Sequence, residues 1–234
     1  MNVILLEHTP EPEKVIAAAA RLCYSKHADV ESLLESLDDE EKVNAFVEKL
    51  ESLGHESPME HVSFTFAIEG VSRALLAQHS RHRIASLSVR SQRYCSEEGF
   101  SYVTPDAIKK DEEVNKIYDE YMEQVQELYK LLLDLGVANE DARMILPNAC
   151  CTRMMVTMNI RALLHFFQLR CCQRAQQEIR DMAYAMLKEC KKVSPILFKH
   201  AGPTCVKGYC PEGSMSCGRA PTLDMLIKSY KEHH

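Results

Sequence analysis

His61-Val62-Ser63-Phe64-Thr65-Phe66-Ala67-Ile68-Glu69 places a large apolar residue at every second position, so Val62, Phe64, Phe66 and Ile68 share one face. A period of two is the mark of a half-buried β-strand. Gly70 is expected to end the strand, and Ser72 is placed to cap a short helix, Arg73 to Gln78. Upstream, the apolar start Met1 to Glu7 reads as a buried strand and, lacking a basic start, not as an export signal. A helix start at Thr9 to Glu13 leads into Val15 to Leu22, and residues 39–53 form a second amphipathic helix that Gly54 ends. Downstream, a long charged helix is expected over 108–136, with its polar residues forming a solvated face. Arg143 to Leu146 reads as a helical piece stopped by Pro147, Arg153 to Asn159 as a strand, and Ile160 to Val193 as one long helix. The tail 202–218, with Pro203, Pro211, Gly208 and Gly213, reads as loop. With no internal repeat and no low-complexity linker, the expected class is α+β: a single domain with an antiparallel or mixed sheet packed against long helices.

The chain is acidic, with 28 Lys+Arg against 34 Asp+Glu, which argues against a general nucleic-acid or membrane-surface role. No apolar run reaches the length of a membrane span. Ten cysteines, including the vicinal pairs Cys150-Cys151 and Cys171-Cys172 in apolar segments, read as reduced thiols of a cytoplasmic protein. The tail spacing Cys205-x4-Cys210-x6-Cys217 is looser than usual zinc spacing, so no metal is assigned.

The charge is unevenly placed. The stretch Ser80 to Tyr94 holds four arginines, and residues 70–96 hold no acid and no lysine but contain Arg73, Arg81, Arg83, Arg90 and Arg93. Residues 142–177 repeat the pattern with Arg143, Arg153, Arg161, Arg170 and Arg174. A guanidinium is a planar fork for bidentate contact with phosphate or carboxylate. Ten such groups without internal counter-ions are costly to bury, so the pattern points to nucleotide ligands. On a helix, Arg161 and His165 share a face, while Arg170 lies half a turn away, a placement that suits a symmetric oligomer.

These residues resemble a known family. Arg81-His82-Arg83, seven residues and then Ser91 resembles the signature of the flavin-dependent thymidylate synthases. His55 to His61 before a strand, Gln78 three residues before Arg81, Ala142 to Pro147, and Asn159 to Leu163 with Leu169-Arg170 are similar to flanking segments of that family. The resemblance covers roughly residues 1–200, leaving 201–234 as a Cys-containing C-terminal extension. It implies a homotetramer around a central helix bundle, with sites where subunits meet. It implies methylation of dUMP to dTMP, with methylenetetrahydrofolate as carbon donor, FAD as hydride carrier, NADPH as reductant and no enzyme nucleophile on the uracil.

The resemblance also carries roles to particular residues. Gln78, His79, Ser80, Arg81, Val89, Arg90, Ser91, Gln92, Arg93, Arg143 and Arg170 correspond to dUMP-holding positions. Ser57, Arg81, His82, Arg83, Val89, Asn159, Ile160, Arg161 and His165 correspond to FAD-contacting positions. Arg170 matches the arginine that polarises the pyrimidine. Ser91 has no evident His–Asp pair to activate it, so it is read as a hydrogen-bond donor. Two positions depart from the pattern: Val89 stands where a polar residue is common, and His165 where asparagine is. A non-catalytic polyanion or RNA-binding module and another flavin oxidoreductase are the rival readings; net acidity and sparse aromatics disfavour the first.

Overall fold

The computed structural model describes residues 1–26 and 29–220. In chain order these form β1 (Asn2–His8), α1 (Pro12–Leu22), α2 (Val30–Glu35), α3 (Glu40–Ser52), a 3-10 turn Ser57–His61, β2 (Ser63–Ser72), α4 (Arg73–His79), β3 (Ser86–Val89), α5 (Asp106–Lys109), α6 (Glu112–Asp134), α7 (Asn139–Ala142), a 3-10 turn Arg143–Ile145, β4 (Cys151–Asn159), α8 (Ile160–Arg170) and α9 (Gln177–Val193). Two further 3-10 turns, Thr204–Lys207 and Gly213–Met215, lie in the tail. The four strands make one small antiparallel sheet in the order β1-β2-β4-β3, so the class is α+β. The chain divides into two compact units, Met1–Val3 with Ala67–Val156, and Ile4–Phe66 with the chain from Thr157 onward. No helix among the described residues is long and apolar enough to cross a membrane.

In the first unit, Gly70 does not end β2, contrary to the sequence expectation. It sits within the strand at φ +67, where an added Cβ would stand 3.2 Å from the Met1 backbone nitrogen. Ser72 then ends the strand and starts α4, its hydroxyl accepting from the Leu75 N–H at 3.0 Å. The expected helix over 108–136 is two helices. Asp111 interrupts it because its carboxylate accepts from the N–H groups of Glu113 and Val114 and so caps a new start. α6 buries Met122, Val125 and Tyr129, and Met122 and Val125 pack with Phe100 and Cys150. It also leaves Val114, Ile117, Tyr121, Leu128 and Leu131 exposed, with Leu135 just beyond its end. α6 is therefore not merely a solvated charged helix. It carries a second apolar stripe at three- and four-residue spacing, interrupted once at Gln124.

In the second unit, Val62, Phe64 and Phe66 are buried as the alternation predicts. Phe198 meets Phe64 and Phe167 edge-on, with centroids 5.5 and 6.1 Å away. Each buried ring contributes about 1.5–3 kcal/mol by leaving water. α2, which the sequence reading did not anticipate, starts where Asp29 accepts from the Ser32 N–H at 2.8 Å. The single helix expected over 160–193 is broken at residues 171–176. The break costs intrahelical hydrogen bonds, and side chains from α9 replace them. Tyr184 donates its hydroxyl to the Cys171 carbonyl at 3.1 Å, and Arg180 donates to the carbonyls of Gln173 and Ala175 at 3.2 and 3.1 Å. Gln176 caps the new start by accepting from Ile179 N–H.

Gly70→Ala is expected to destabilise the protein by about 1–2 kcal/mol from the left-handed backbone alone, with more from the Met1 contact. A lowered urea midpoint at unchanged slope checks it; an unchanged midpoint contradicts it.

Candidate active site

The first unit gathers the signature residues at one strand-to-helix junction and the loop beyond it. α4 carries Gln78 and His79, and Ser80 closes the helix with its N–H on the Leu76 carbonyl. His79 is buried, and its ring lies tilted 6.1 Å from that of His82. Arg81 and Arg83 follow on an exposed loop, and neither forms an ion pair with a described carboxylate. Val89 is half-buried at the end of β3 and offers only backbone polar groups.

Beyond β3 the arginines have partners that the acid-free windows hid. Arg90 donates from Nε to Glu97 at 3.2 Å and from Nη2 to the Ser96 carbonyl at 3.0 Å, and Glu97 is buried. Its guanidinium is thereby committed to the fold. Arg93 pairs with the Glu140 carboxylate and lies over the Tyr94 ring at 5.3 Å. Arg143 donates to the Glu140 carbonyl at 3.0 Å, so one residue anchors two of the expected dUMP arginines. Ser91 Oγ accepts from Arg93 N–H at 3.2 Å, and Gln92 donates to Cys150 Sγ at 3.7 Å. Arg73 passes beneath, donating to the Arg90 carbonyl at 2.8 Å, while its Nε is buried without a hydrogen-bond partner. Burial lowers the Arg73 pKa, but a guanidinium remains charged.

In the second unit, Ser57 opens an exposed turn anchored by buried Pro58 and Met59. Asn159 caps α8 with its side-chain oxygen on the Ala162 N–H at 2.9 Å, which leaves its NH2 group as a donor. Ile160 is fully buried and spends its N–H on the Val62 carbonyl at 3.0 Å. Arg161 pairs with Glu60 and, at 3.4 Å, with Glu56, and Glu60 raises its pKa. His165, one turn on, is exposed. Arg170, the last residue of α8, lines a cavity of about 310 Å³ together with Arg174, which pairs with Glu212.

Contrary to the sequence expectation, the ten arginines are not all without counter-ions. Carboxylates from outside the two windows, Glu56, Glu60, Glu97, Glu140 and Glu212, meet four of them. The pairs of Arg93, Arg161 and Arg174 are solvent-exposed. Such pairs are worth only ~0–1 kcal/mol, so an arriving phosphate can displace the carboxylate. No sequence spacing marks these acids; only the fold brings them near. All ten cysteines are free thiols, and among the described residues no three His, Cys, Asp or Glu side chains are placed to hold a metal ion. Burial pushes the Cys150 thiol up to about 11 and the Cys171 thiol up to about 12, which leaves both poor nucleophiles near neutral pH.

Residues 4–196 match the family model described as thymidylate synthase complementing protein. The chain is 52% identical over 242 residues to a flavin-dependent thymidylate synthase of Clostridium tetani, covering 97% of this chain and 96% of that one. It is 48% identical over 230 residues to the Geobacter sulfurreducens protein of the same name, covering 97% and 98%. Among solved structures, the UMP/dUMP methylase PolB from Streptomyces cacaoi, bound with 5-Br dUMP, superposes with a TM-score of 0.74 at 26% identity over 85% of this chain and 93% of that one. With the signature loop, both strand-to-helix junctions and most of its length inside that match, this chain belongs to the family of flavin-dependent thymidylate synthases.

Proposed function

We propose that the protein reductively methylates dUMP to dTMP, taking the carbon from 5,10-methylenetetrahydrofolate, with FAD as hydride carrier and NADPH as reductant. The observation that carries this reading is the exposed Arg81-His82-Arg83 loop of an acidic chain, its two guanidinium groups unpaired with any described carboxylate. The solved methylase with a bound dUMP analogue supports the choice of nucleotide.

The residues present fit FAD. Each unit taken by itself offers suitable groups: in the first, Arg81 and Arg83 are forks suited to a pyrophosphate; in the second, Arg161 is a fork once it leaves Glu60, and Asn159 keeps an amide donor. His82, His165 and Ser57 add polar contacts, while Ile160 and Val89 contribute packing and backbone only. FAD, when bound, supplies the hydride that reduces the transferred carbon.

For dUMP, Arg93 and Arg143 hold the phosphate, with Ser91, Gln92, Gln78 and Ser80 as hydrogen-bonding neighbours. Arg90, tied to Glu97, fixes the backbone that presents them. Arg170 acts electrostatically, because its guanidinium cannot give up a proton at neutral pH. Held against the uracil, it favours negative charge on the ring and so makes carbon 5 nucleophilic. Ser91 accepts a backbone hydrogen bond and binds rather than attacks, and the raised pKa values of Cys150 and Cys171 fit a reaction without an enzyme nucleophile.

We further infer a homotetramer built on α6. Val114, Ile117, Tyr121, Leu128, Leu131 and Leu135 recur at the a and d positions of a seven-residue repeat and are exposed. A seam of that kind fits a second copy of the same helix. The reading keeps residues 1–200 as the catalytic part and 201–234 as an extension, in a cytoplasmic enzyme whose thiols stay reduced.

Purified protein is expected to be yellow, its flavin absorbance perturbed by dUMP, and to form dTMP when given methylenetetrahydrofolate, FAD and NADPH. Colourless protein that binds neither FAD nor dUMP would overturn the proposal; flavin without dUMP binding would favour another flavin oxidoreductase. Arg170→Lys keeps the charge but loses the fork, so turnover is expected to fall ~100-fold or more with flavin binding intact. Arg93→Ala is expected to weaken dUMP binding about tenfold or more, read by titrating the flavin spectrum. Leu128→Glu with Leu131→Glu is expected to break the tetramer into smaller species in light scattering; an unaltered mass would remove α6 from the interface.

A further inference from the structure

Arg73 is none of the expected nucleotide positions, yet the segment that bears several of them is held by it. As the first residue of α4 it is fixed through its backbone: its N–H donates to the Cys150 carbonyl at 3.1 Å, and the N–H of Ala74 to the Asn148 carbonyl at 3.0 Å. Its side chain reaches the residue that follows β3, where Nη2 donates to the Arg90 carbonyl at 2.8 Å. The N–H of Arg90 is taken by the Arg153 carbonyl of β4 at 3.1 Å. Both backbone polar groups of residue 90 are therefore held just before Ser91, Gln92 and Arg93 begin. Gln92 closes a circuit, because its amide donates at 3.7 Å to the sulfur of Cys150, the residue whose carbonyl takes the Arg73 N–H. Nε of Arg73 stays buried without a hydrogen-bond partner, a cost that the Nη2 bond has to offset. That bond is charge-assisted, and the nearby Glu97 carboxylate, itself buried, favours the charged guanidinium.

We propose that Arg73 is a positioning residue for the nucleotide: by holding the Arg90 carbonyl it aims Ser91, Gln92 and Arg93 at dUMP without touching the ligand itself. This rests on the reading of that segment as part of the dUMP site. The effect is selective. Loss of the side chain frees the peptide between residues 90 and 91, but it leaves the Ser72 cap of α4 and the backbone bonds of residues 73 and 74 in place. The Arg81-His82-Arg83 loop beyond the far end of α4 keeps its footing, so FAD binding survives. A misdirected segment grips dUMP less well in the ground and transition states alike, so KM rises while kcat holds. A single carbonyl needs a single donor, so lysine can take the place of Arg73; a fork gripping phosphate directly has no such substitute.

The test uses the full chain with its flavin, and dUMP affinity is read by titrating the flavin spectrum. Arg73→Met, similar in length but without a donor, is expected to raise Kd and KM for dUMP about tenfold, with kcat within about threefold and FAD affinity within about twofold of the parent. Arg73→Lys is expected to bring the dUMP Kd back to within about threefold of the parent. Amide hydrogen exchange at residues 91–93 speeds up in Arg73→Met and not in Arg73→Lys. An Arg73→Met protein whose dUMP Kd stays within about twofold of the parent overturns the proposal, as does one that loses FAD and dUMP affinity equally. An Arg73→Lys protein no better than Arg73→Met overturns it too. If Arg73→Met yields no folded protein, Arg73→Lys decides alone: a dUMP Kd within about threefold of the parent supports the proposal, and any weaker binding overturns it. A parent that binds no dUMP sinks the methylase reading and this proposal with it; a parent that binds dUMP while Arg73→Met matches it sinks this proposal alone.

Discussion

The guanidinium–carboxylate pair is the interaction that orders this protein's arginines, and burial sorts its instances into two kinds. Arg90 with Glu97 is sheltered, so separating it would strand a charge away from water; it serves the fold. Arg93 with Glu140, Arg161 with Glu60 and Arg174 with Glu212 stand in solvent, where pairing is weak and exchangeable. An acidic chain can thus carry a dense set of arginines without self-repulsion, keep them ordered, and still release them to an anionic ligand. Arg81 and Arg83 lack even that loose partner among the described residues.

Two junctions present part of the proposed site. At each, a strand ends in a polar residue that caps the following helix: Ser72 between β2 and α4, Asn159 between β4 and α8. Capping satisfies an otherwise orphaned backbone N–H and fixes the direction in which the helix leaves the sheet. Arg73 follows the first cap at once, and Arg161 follows the second by two residues. Arg73 and Arg161 are accordingly held by short, doubly constrained stretches of backbone, whereas Arg81, Arg83, Arg90 and Arg93 stand on the loops beyond α4 and β3 and Arg174 in the turn between α8 and α9.

Structure departs from local sequence pattern where tertiary hydrogen bonds override it. Residues 171–176 contain neither glycine nor proline, so nothing in the periodicity marks a break. The helix stops there because Tyr184, Arg180 and Gln176 offer the freed backbone groups other partners. Gly70 misled in the opposite sense. The sequence pattern marks it as a strand end, but its freedom at positive φ serves a close approach of the Met1 backbone inside a continuing strand. On α6 the charged residues mask an apolar stripe in the sequence.

What the sequence determined by itself was the α+β class, the alternating core strand, the capped helix after it and the arginine-bearing segments that mark the family. Each of these is local, written in spacing and residue type within about a dozen positions. What only the tertiary structure decided was which arginines are spoken for, where the last long helix divides, and that the tail forms a wall beside Arg170. The reason is physical: an ion pair between residues 93 and 140, or 174 and 212, depends on distance in space, and chain separation carries no trace of it until the backbone has folded.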